Sequence, residues 1–377
     1  MDVSVYASTD KSGEKQREKR ERRTVRKLRL LKACGLFGAD QSGAIYERAT
    51  SCRALENAYR LVHDVYVETG YIKPRPSGLR LRHFECCPNT ATFVANTPFR
   101  ETIGVLSVII DSADFGLPSD QMYKTELDEL RAQGSVVCEF SNQAVLPEYR
   151  RKGPSTELMR CAFAYAYSMG ITDIVCAVSP PAVSFYRMME FRQIGDIRSY
   201  SICLNDPVAL MHESDIQIRG ETADLSDNEV YRFLNDFFYK DNPYYKMVPI
   251  WNVRYQRMLS EQFEMASLLG KCPEIFASEC YRDGLERRLG GMYALSEAAA
   301  LRSRDLYSSS ARQGRFQRRV HVRPIQSNSR KSSAPNKVRL QRSLRRRPAI
   351  GSHDCIRDRT GKASVLQLSA PEKEAPS

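Results

Sequence analysis

The apolar positions of this chain change period repeatedly between residues 45 and 204, and each change marks an element. Residues 45–49 read as a short strand. Over 51–70, SCRALENAYRLVHDVYVETG, the apolar positions Leu55, Ala58, Tyr59, Val62, Val65 and Tyr66 recur at helical spacing, and Gly70 supplies the stop. Residues 73–90 hold Pro74, Pro76, Gly78 and Pro88 and read as loop. Thr92–Ala95 and Ile103–Asp111 read as a strand pair, Met122–Gln133 as a helix closed by Gly134, and Val136–Leu146 as a strand. Ser155–Met169 is a helix closed by Gly170, Ile174–Val178 a strand, Ser184–Met189 a short helix and Tyr200–Leu204 a closing strand. Strands alternating with helices predict an α/β fold, a mixed central sheet with helices packed on its faces.

The flanks follow other patterns. Residues 1–13 are polar and expected to lack order. Within 14–38, Val25, Leu28, Leu31 and Leu36 place a partial apolar stripe on a strongly basic helix. Such a helix is either a solvated charged face or a surface for a membrane or an acidic carrier. Residues 222–300 are helical in pattern, over Asp227–Tyr239, Trp251–Leu269 and Arg282–Leu301, and either cap the core or form a subdomain. From about 302, Arg and Ser dominate without apolar period, which predicts a disordered basic tail. The chain therefore divides into a basic segment at 1–43, a core at 44–215, a helical extension at 216–301 and a tail at 302–377.

Charge sharpens that division. Residues 49–300 hold 26 Lys/Arg against 33 Asp/Glu, whereas 301–377 hold 19 against 5 and 1–48 hold 12 against 7. The acidic core does not suit nucleic acid, while the basic ends suit an anionic partner or membrane surface. None of the eleven cysteines forms a CxxC pair or has a histidine at ligand spacing, so neither a metal nor a disulfide framework is expected. A reducing, cytoplasmic setting follows, with peripheral membrane contact through the basic ends. Neither a signal peptide nor a spanning helix is expected.

The candidate chemistry lies in CEFSNQAVLPEYRRKGPSTELM and the helix-bearing stretch SFYRMMEF that follows it. Arg150, Arg151, Lys152, Gly153 and Ser155 form a basic turn after a strand and open a helix. Backbone N–H groups at such a helix start, with the dipole behind them, suit a phosphate, and Gly153 is expected to let the ligand approach closely. A plain strand–helix turn with surface arginines has the same letters. Glu139, on the strand before that turn, is placed to take a proton from an amine nucleophile; an acid paired with a nearby Arg is the other reading. Asn142 and Gln143 are placed to orient substrate, with the backbone N–H groups after them facing a reacting carbonyl. Tyr186 begins a helix and is placed to protonate a departing thiolate, or else is a core tyrosine.

These residues resemble the N-acyl amino acid synthases, a branch of the GNAT acyltransferase superfamily related to the autoinducer (acyl-homoserine lactone) synthases. AYRLVHDVYVETGYI, NTATFVAN, the run from Asp111 through Gly116, Leu117, Pro118, Tyr123, Glu126 and Leu127, CEFSNQAVLPEYRRKG and SPPAVSFYRMMEF carry the similarity over roughly 45–215. The resemblance implies transfer of a long-chain acyl group from acyl carrier protein or acyl-CoA to the α-amine of an amino acid. It implies that Arg150, Arg151 and Lys152 hold the donor's phosphate or acidic carrier helix, and that Glu139 is the family's strand acid. It also implies an acyl cleft lined by residues such as Val105, Leu106, Val108 and Val145. Two other readings compete: an acyl-homoserine-lactone or small-amine acyltransferase, and a non-catalytic protein that holds acyl carrier or nucleic acid. The single tryptophan, Trp251, falls outside the core in sequence and so argues against the autoinducer type.

Overall fold

The computed structural model describes residues 6–33, 40–87, 89–199, 207–257, 261–276 and 282–312. A seven-stranded sheet organises them, with β1 at Ile45–Arg48, β2 at Ala91–Asn96, β3 at Thr102–Ile110, β4 at Val137–Val145, β5 at Asp173–Val178, β6 at Arg192–Ser199 and β7 at Pro207–Glu213. Its spatial order is β1-β2-β3-β4-β5-β7-β6. Neighbours run antiparallel except β4 and β5, which are parallel. Preceding the sheet is α1, Tyr6–Ala33, while α2 (Cys52–Glu68), α3 (Asp120–Ala132), α4 (Pro154–Ser168) and α5 (Pro180–Met188) connect its strands.

Local signals account for the helix starts. The Ser51 hydroxyl accepts from Ala54 N at 3.2 Å and caps α2. Pro154 opens α4, where its missing N–H costs little, and Gly153 before it takes φ +111°. Between them these helices cover both faces of the sheet. The α4 side buries Phe93, Leu106, Phe140 and Val145 with Leu158, Cys161 and Ala162. On the other side Ala58 and Val62 of α2 lie with Val94 and Val105, and Tyr123 and Leu127 of α3 lie with Ile109 and Val175.

The predicted order of elements from 45 to 189 is present. The predicted closing strand at 200–204 lies outside the described residues. In its neighbourhood the structure has two strands, β6 and β7, with β7 inserted between β5 and β6. β6 reads RQIGDIRS and stays mostly open to solvent, so it has no buried face to impose an apolar period.

The C-terminal helices are α6 (Arg219–Asp224), α7 (Glu229–Asn235), α8 (Val248–Arg257), α9 (Glu261–Leu269), α10 (Pro273–Phe276), α11 (Arg282–Leu289) and α12 (Tyr293–Arg312). They pack on the sheet domain. Phe238 and Trp251 join the cluster on the α4 side, while Leu268, Leu269 and Leu285 join the one on the α3 side. Arg160 of α4 donates to the carbonyls of Phe237 at 3.2 Å and Asp241 at 2.7 Å, fixing the turn that precedes α8. Trp251, distant from the core in sequence, is only 2% exposed and lies 5.3 Å from the Phe93 ring, so its sequence position is no guide to its place in space. Along α1, Leu31 is buried and Lys27 pairs with Glu190, while the other basic side chains described from Lys15 to Arg29 stay mostly in solvent. No described helix is long and apolar enough to cross a membrane.

Trp251 gives the extension's contribution a measurable size. Trp251→Ala leaves a ring-sized hole between Phe93 and Tyr244, and we expect a loss of about 3–5 kcal/mol of stability. Urea unfolding followed by circular dichroism measures it; a loss below about 1 kcal/mol would mean that the extension is only loosely attached.

Candidate active site

The parallel pair β4–β5 is hydrogen-bonded in register only from Val137↔Asp173 to Glu139↔Val175. Beyond that point β4 continues to Val145 against β3, and β5 continues to Val178 against β7. Two strands that stay paired to their outer neighbours but not to each other must part, and the sheet opens next to Glu139. A bulge in β4 lies in the parted stretch. Val105 pairs with Ala144 and Ser107 with Ser141, so Leu106 faces two residues, Asn142 and Gln143. Asn142 takes φ +54° there, and the extra residue sends the two side chains to opposite faces.

On the α4 face, three predicted residues meet. The Tyr186 hydroxyl donates to Gln143 Oε1 at 3.0 Å, and Gln143 Nε2 donates to Ser155 Oγ at 2.8 Å. This chain bridges the opening, from α5 behind β5 to β4 and the first turn of α4. Burial raises the Tyr186 phenol well above its ordinary pKa, so it keeps its proton and is a donor.

Arg150, Arg151 and Lys152 behave differently from one another. Arg150 Nε donates to the Val145 carbonyl at 3.1 Å, which ties the basic turn to the end of β4. Arg151, at φ +64°, and Lys152 are exposed, and Lys152 Nζ lies 5.6 Å from the centre of the Tyr149 ring. Gly153 does not leave an open approach as expected. A Cβ built on it would lie 2.8 Å from Asp40 Oδ1 and 2.9 Å from Asp40 Cα. The chain entering β1 therefore covers this glycine, and Gln41 N donates to the Lys152 carbonyl at 2.8 Å. Asp40 is held by Ser42 and by the Tyr46 hydroxyl at 2.9 Å.

On the opposite face, Glu139 is 3% exposed and accepts from Ser119 N at 2.8 Å. Burial pushes its pKa up to about 7, against the charge of Arg82 and the Ser119 hydrogen bonds, which favour the carboxylate. Arg82 itself is committed to Glu85, through Nε at 3.0 Å and Nη2 at 2.6 Å, and reaches Ser141 Oγ of β4 at 3.2 Å. Asn142 Nδ2 joins the same group, donating to Glu85 Oε1 at 2.9 Å and Ser107 Oγ at 3.2 Å. Arg82, Glu85 and Ser119 are absent from the sequence-derived set. Arg80 and Arg82 alternate with the buried Leu79 and Leu81, and that period-two signal sits in a stretch read as loop because of its prolines.

The run from Asp111 to Leu127 builds the support beneath Ser119. Gly116 takes φ +65°, where a Cβ would meet Asp120 Oδ2 at 2.4 Å. Asp120 accepts from Leu117 N at 2.6 Å, and Arg131 ties Asp111, Asp120 and Asp128 together. The Tyr123 hydroxyl donates to the Asp196 and Val208 carbonyls at 2.9 and 2.7 Å, joining α3 to β6 and β7.

The suggested acyl-lining residues do not face one cleft. Val105 lies in the α2-side cluster, whereas Leu106, Val108 and Val145 lie on the α4 side, because neighbours along a strand point to opposite faces.

Residues 57–214 match the family of the N-acyl amino acid synthase FeeM. The match supports an N-acyltransferase over the non-catalytic reading. No curated protein matches the chain. Among solved structures, FeeM from uncultured soil microbes is 24% identical, covering 49% of this chain and 98% of its own with a TM-score of 0.41. A putative N-acetyltransferase from Lactobacillus plantarum is 18% identical, covering 46% and 98% with a TM-score of 0.34. The CoA-dependent acyl-homoserine lactone synthase BjaI is 16% identical, covering 52% and 90% with a TM-score of 0.35. Among the described residues, no group of three or more His, Cys, Asp or Glu side chains is placed to hold a metal ion.

The raised pKa of Glu139 gives two linked expectations. Its folded value of about 7 exceeds the ordinary 4.5, so its contribution to stability is full below about 4.5 and lost as pH rises through about 7. Glu139→Gln should therefore gain stability relative to the parent between those values. If Glu139 is the base, the parent's turnover rises with pH to a plateau above about 7, and the substitution removes that limb. Thermal melts and rates from pH 5 to 9 test both; equal pH profiles for parent and variant would remove Glu139 from the proton path.

Proposed function

We propose that this protein transfers a long-chain acyl group from a phosphopantetheine thioester, on acyl carrier protein or CoA, to the α-amine of an amino acid. The observation that carries the reading is the buried Glu139, with a pKa near 7, where the sheet opens between β4 and β5. An ammonium acceptor must lose a proton before it attacks, and a carboxyl poised near neutrality takes it. The amine nitrogen then bonds to the thioester carbonyl carbon. The carbonyl oxygen gains charge beside the bulged backbone of β4, and collapse expels the thiolate. Tyr186, kept protonated by burial, gives its proton to the thiolate as it regains one from the nitrogen, which sheds its second proton as the intermediate collapses to the amide. Gln143, held by Ser155, accepts from the Tyr186 hydroxyl and keeps it in place.

The donor's phosphate belongs at the turn Arg150–Gly153 and the start of α4, where the helix dipole and the exposed Arg151 and Lys152 favour an anion. Asp40, a carboxylate against Gly153, competes with it for that place. The basic face of α1 and the basic tail offer an acidic carrier, or an anionic membrane surface, a second point of attraction. A cytoplasmic site of action, peripheral to the membrane, suits such a product and donor.

Mass spectrometry of lipid extracts from cells overproducing the chain, beside a Glu139→Gln control, tests the reaction. New N-acyl amino acids in the parent alone are expected, with turnover in the variant lower by about 10²–10⁴. Folded parent protein that yields no new acyl amide would overturn the assignment. Donor binding has its own test in Arg150→Ala combined with Arg151→Ala. We expect donor KM to rise roughly tenfold at low ionic strength and the difference to shrink as salt is added. An unchanged KM at low salt would place the phosphate elsewhere.

A further inference from the structure

Gly153 precedes α4 at φ +111°, in the left-handed region that favours glycine. Against it lies a carboxylate from the chain's own approach to β1. A Cβ built on Gly153 would stand 2.8 Å from Asp40 Oδ1, 2.9 Å from its Cα and 3.2 Å from its Cβ, so both the backbone and the side chain of Asp40 close over this glycine. Gln41 N donates to the Lys152 carbonyl at 2.8 Å and fastens the same segment to the turn. A phosphate seated on this backbone needs that space. The start of α4 favours one anion, and a second one beside it is repelled.

A clip holds Asp40 there. Its Oδ1 accepts from Ser42 N at 2.9 Å and from Ser42 Oγ at 2.6 Å, and its Oδ2 accepts from the Tyr46 hydroxyl at 2.9 Å. Burial raises the Tyr46 phenol above its ordinary pKa, so it stays a donor. The Tyr46 ring lies edge-on to Tyr244 with centroids 6.1 Å apart, and the Tyr244 hydroxyl donates to Glu157, in the first turn of α4, at 2.8 Å. Residues from before and after the matched stretch 57–214 thus converge on the start of this helix. The groups that hold the Asp40 carboxylate are uncharged, while Arg151 and Lys152 of the same turn stay exposed and open to an incoming anion.

Resting on the reading that seats the donor's phosphate at this turn, we propose that residues 40–43 are an autoinhibitory strap, in which Asp40 stands in for that phosphate in the resting chain. The donor binds by displacing it. The hydrogen bonds from Ser42 and Tyr46 to Asp40 open, Gln41 leaves the Lys152 carbonyl, and the phosphate takes the start of α4. Only the fraction of molecules with the strap open is competent to bind, and the apparent donor affinity is lowered by that fraction.

The test uses the full chain with CoA as the probe, its affinity measured by titration calorimetry at low ionic strength. Asp40→Asn keeps the shape of the clip and removes the charge, whereas Tyr46→Phe keeps the charge and removes one hydrogen bond. We expect CoA to bind roughly tenfold more tightly to Asp40→Asn, and about fivefold more tightly to Tyr46→Phe, than to the parent. Hydrogen exchange in the parent reads the displacement itself: the Gln41 amide should exchange about tenfold faster when CoA is saturating. A purely structural role for Tyr46 or Asp40 predicts the opposite sign, since loosening a support weakens binding at the turn. CoA affinity that is unchanged, weaker or undetectable in the variants overturns the strap, as does a Gln41 amide that CoA protects; Asp40→Asn decides alone if Tyr46→Phe does not fold. The phosphate site survives that result if Arg150→Ala with Arg151→Ala still weakens CoA binding, and falls together with the strap if it does not. The transfer reading is judged separately, by whether the parent makes an acyl amide.

Discussion

The parting of β4 from β5 is the constraint on which the rest of this structure depends. A parallel pair at the centre of a sheet normally stays zipped, because each unpaired backbone group in the interior is costly. Here pairing ends at Glu139↔Val175, although both strands run on. The bulge at Asn142 and Gln143 falls in the freed stretch and divides its side chains between the two faces. One face receives Gln143 with Tyr186 and Ser155; the other receives Asn142 with Glu85 and Arg82.

Glu139 shows how the scaffold tunes a single group. Removal from water makes its charge unfavourable, while Arg82 and the Ser119 N–H favour the charge, and burial wins by enough to bring the pKa to about 7. The Ser119 amide is held in turn by the turn that Gly116 allows, by Asp120 accepting from Leu117, and by Arg131 tying three aspartates. Residues 111–131 thus act on Glu139 through one backbone N–H.

The described segments from 207 to 300 pack on the sheet. Trp251 and Phe238 complete the hydrophobic layer over α4, and Leu268 and Leu285 extend the layer over α3. At the other end of the chain, Asp40 and Gln41 lie on the turn before α4.

Apolar period and turn residues by themselves determined the order of strands and helices from 45 to 189, since the helices carry an apolar stripe and the central strands, buried on both faces, are short apolar runs bounded by turn residues. The basic turn and the strand acid were legible for a related reason, each lying near an element end, whereas Tyr186, expected to begin a helix, lies in the last turn of α5 because that helix already starts at Pro180. The sequence did not contain the partners. Gln143 joins Tyr186 across 43 residues, and Arg82 joins Ser141 across 59. Asp40 reaches Gly153 only because β1 begins beside α4. β6 was invisible, as an edge strand open to solvent imposes no apolar alternation, and the stretch around Arg82 read as loop because its order comes from packing against α2 and β4. Tertiary structure alone decided which polar groups lost water together. That shared loss is what raises Glu139, pairs Arg82 with Glu85 and gives the site its charge.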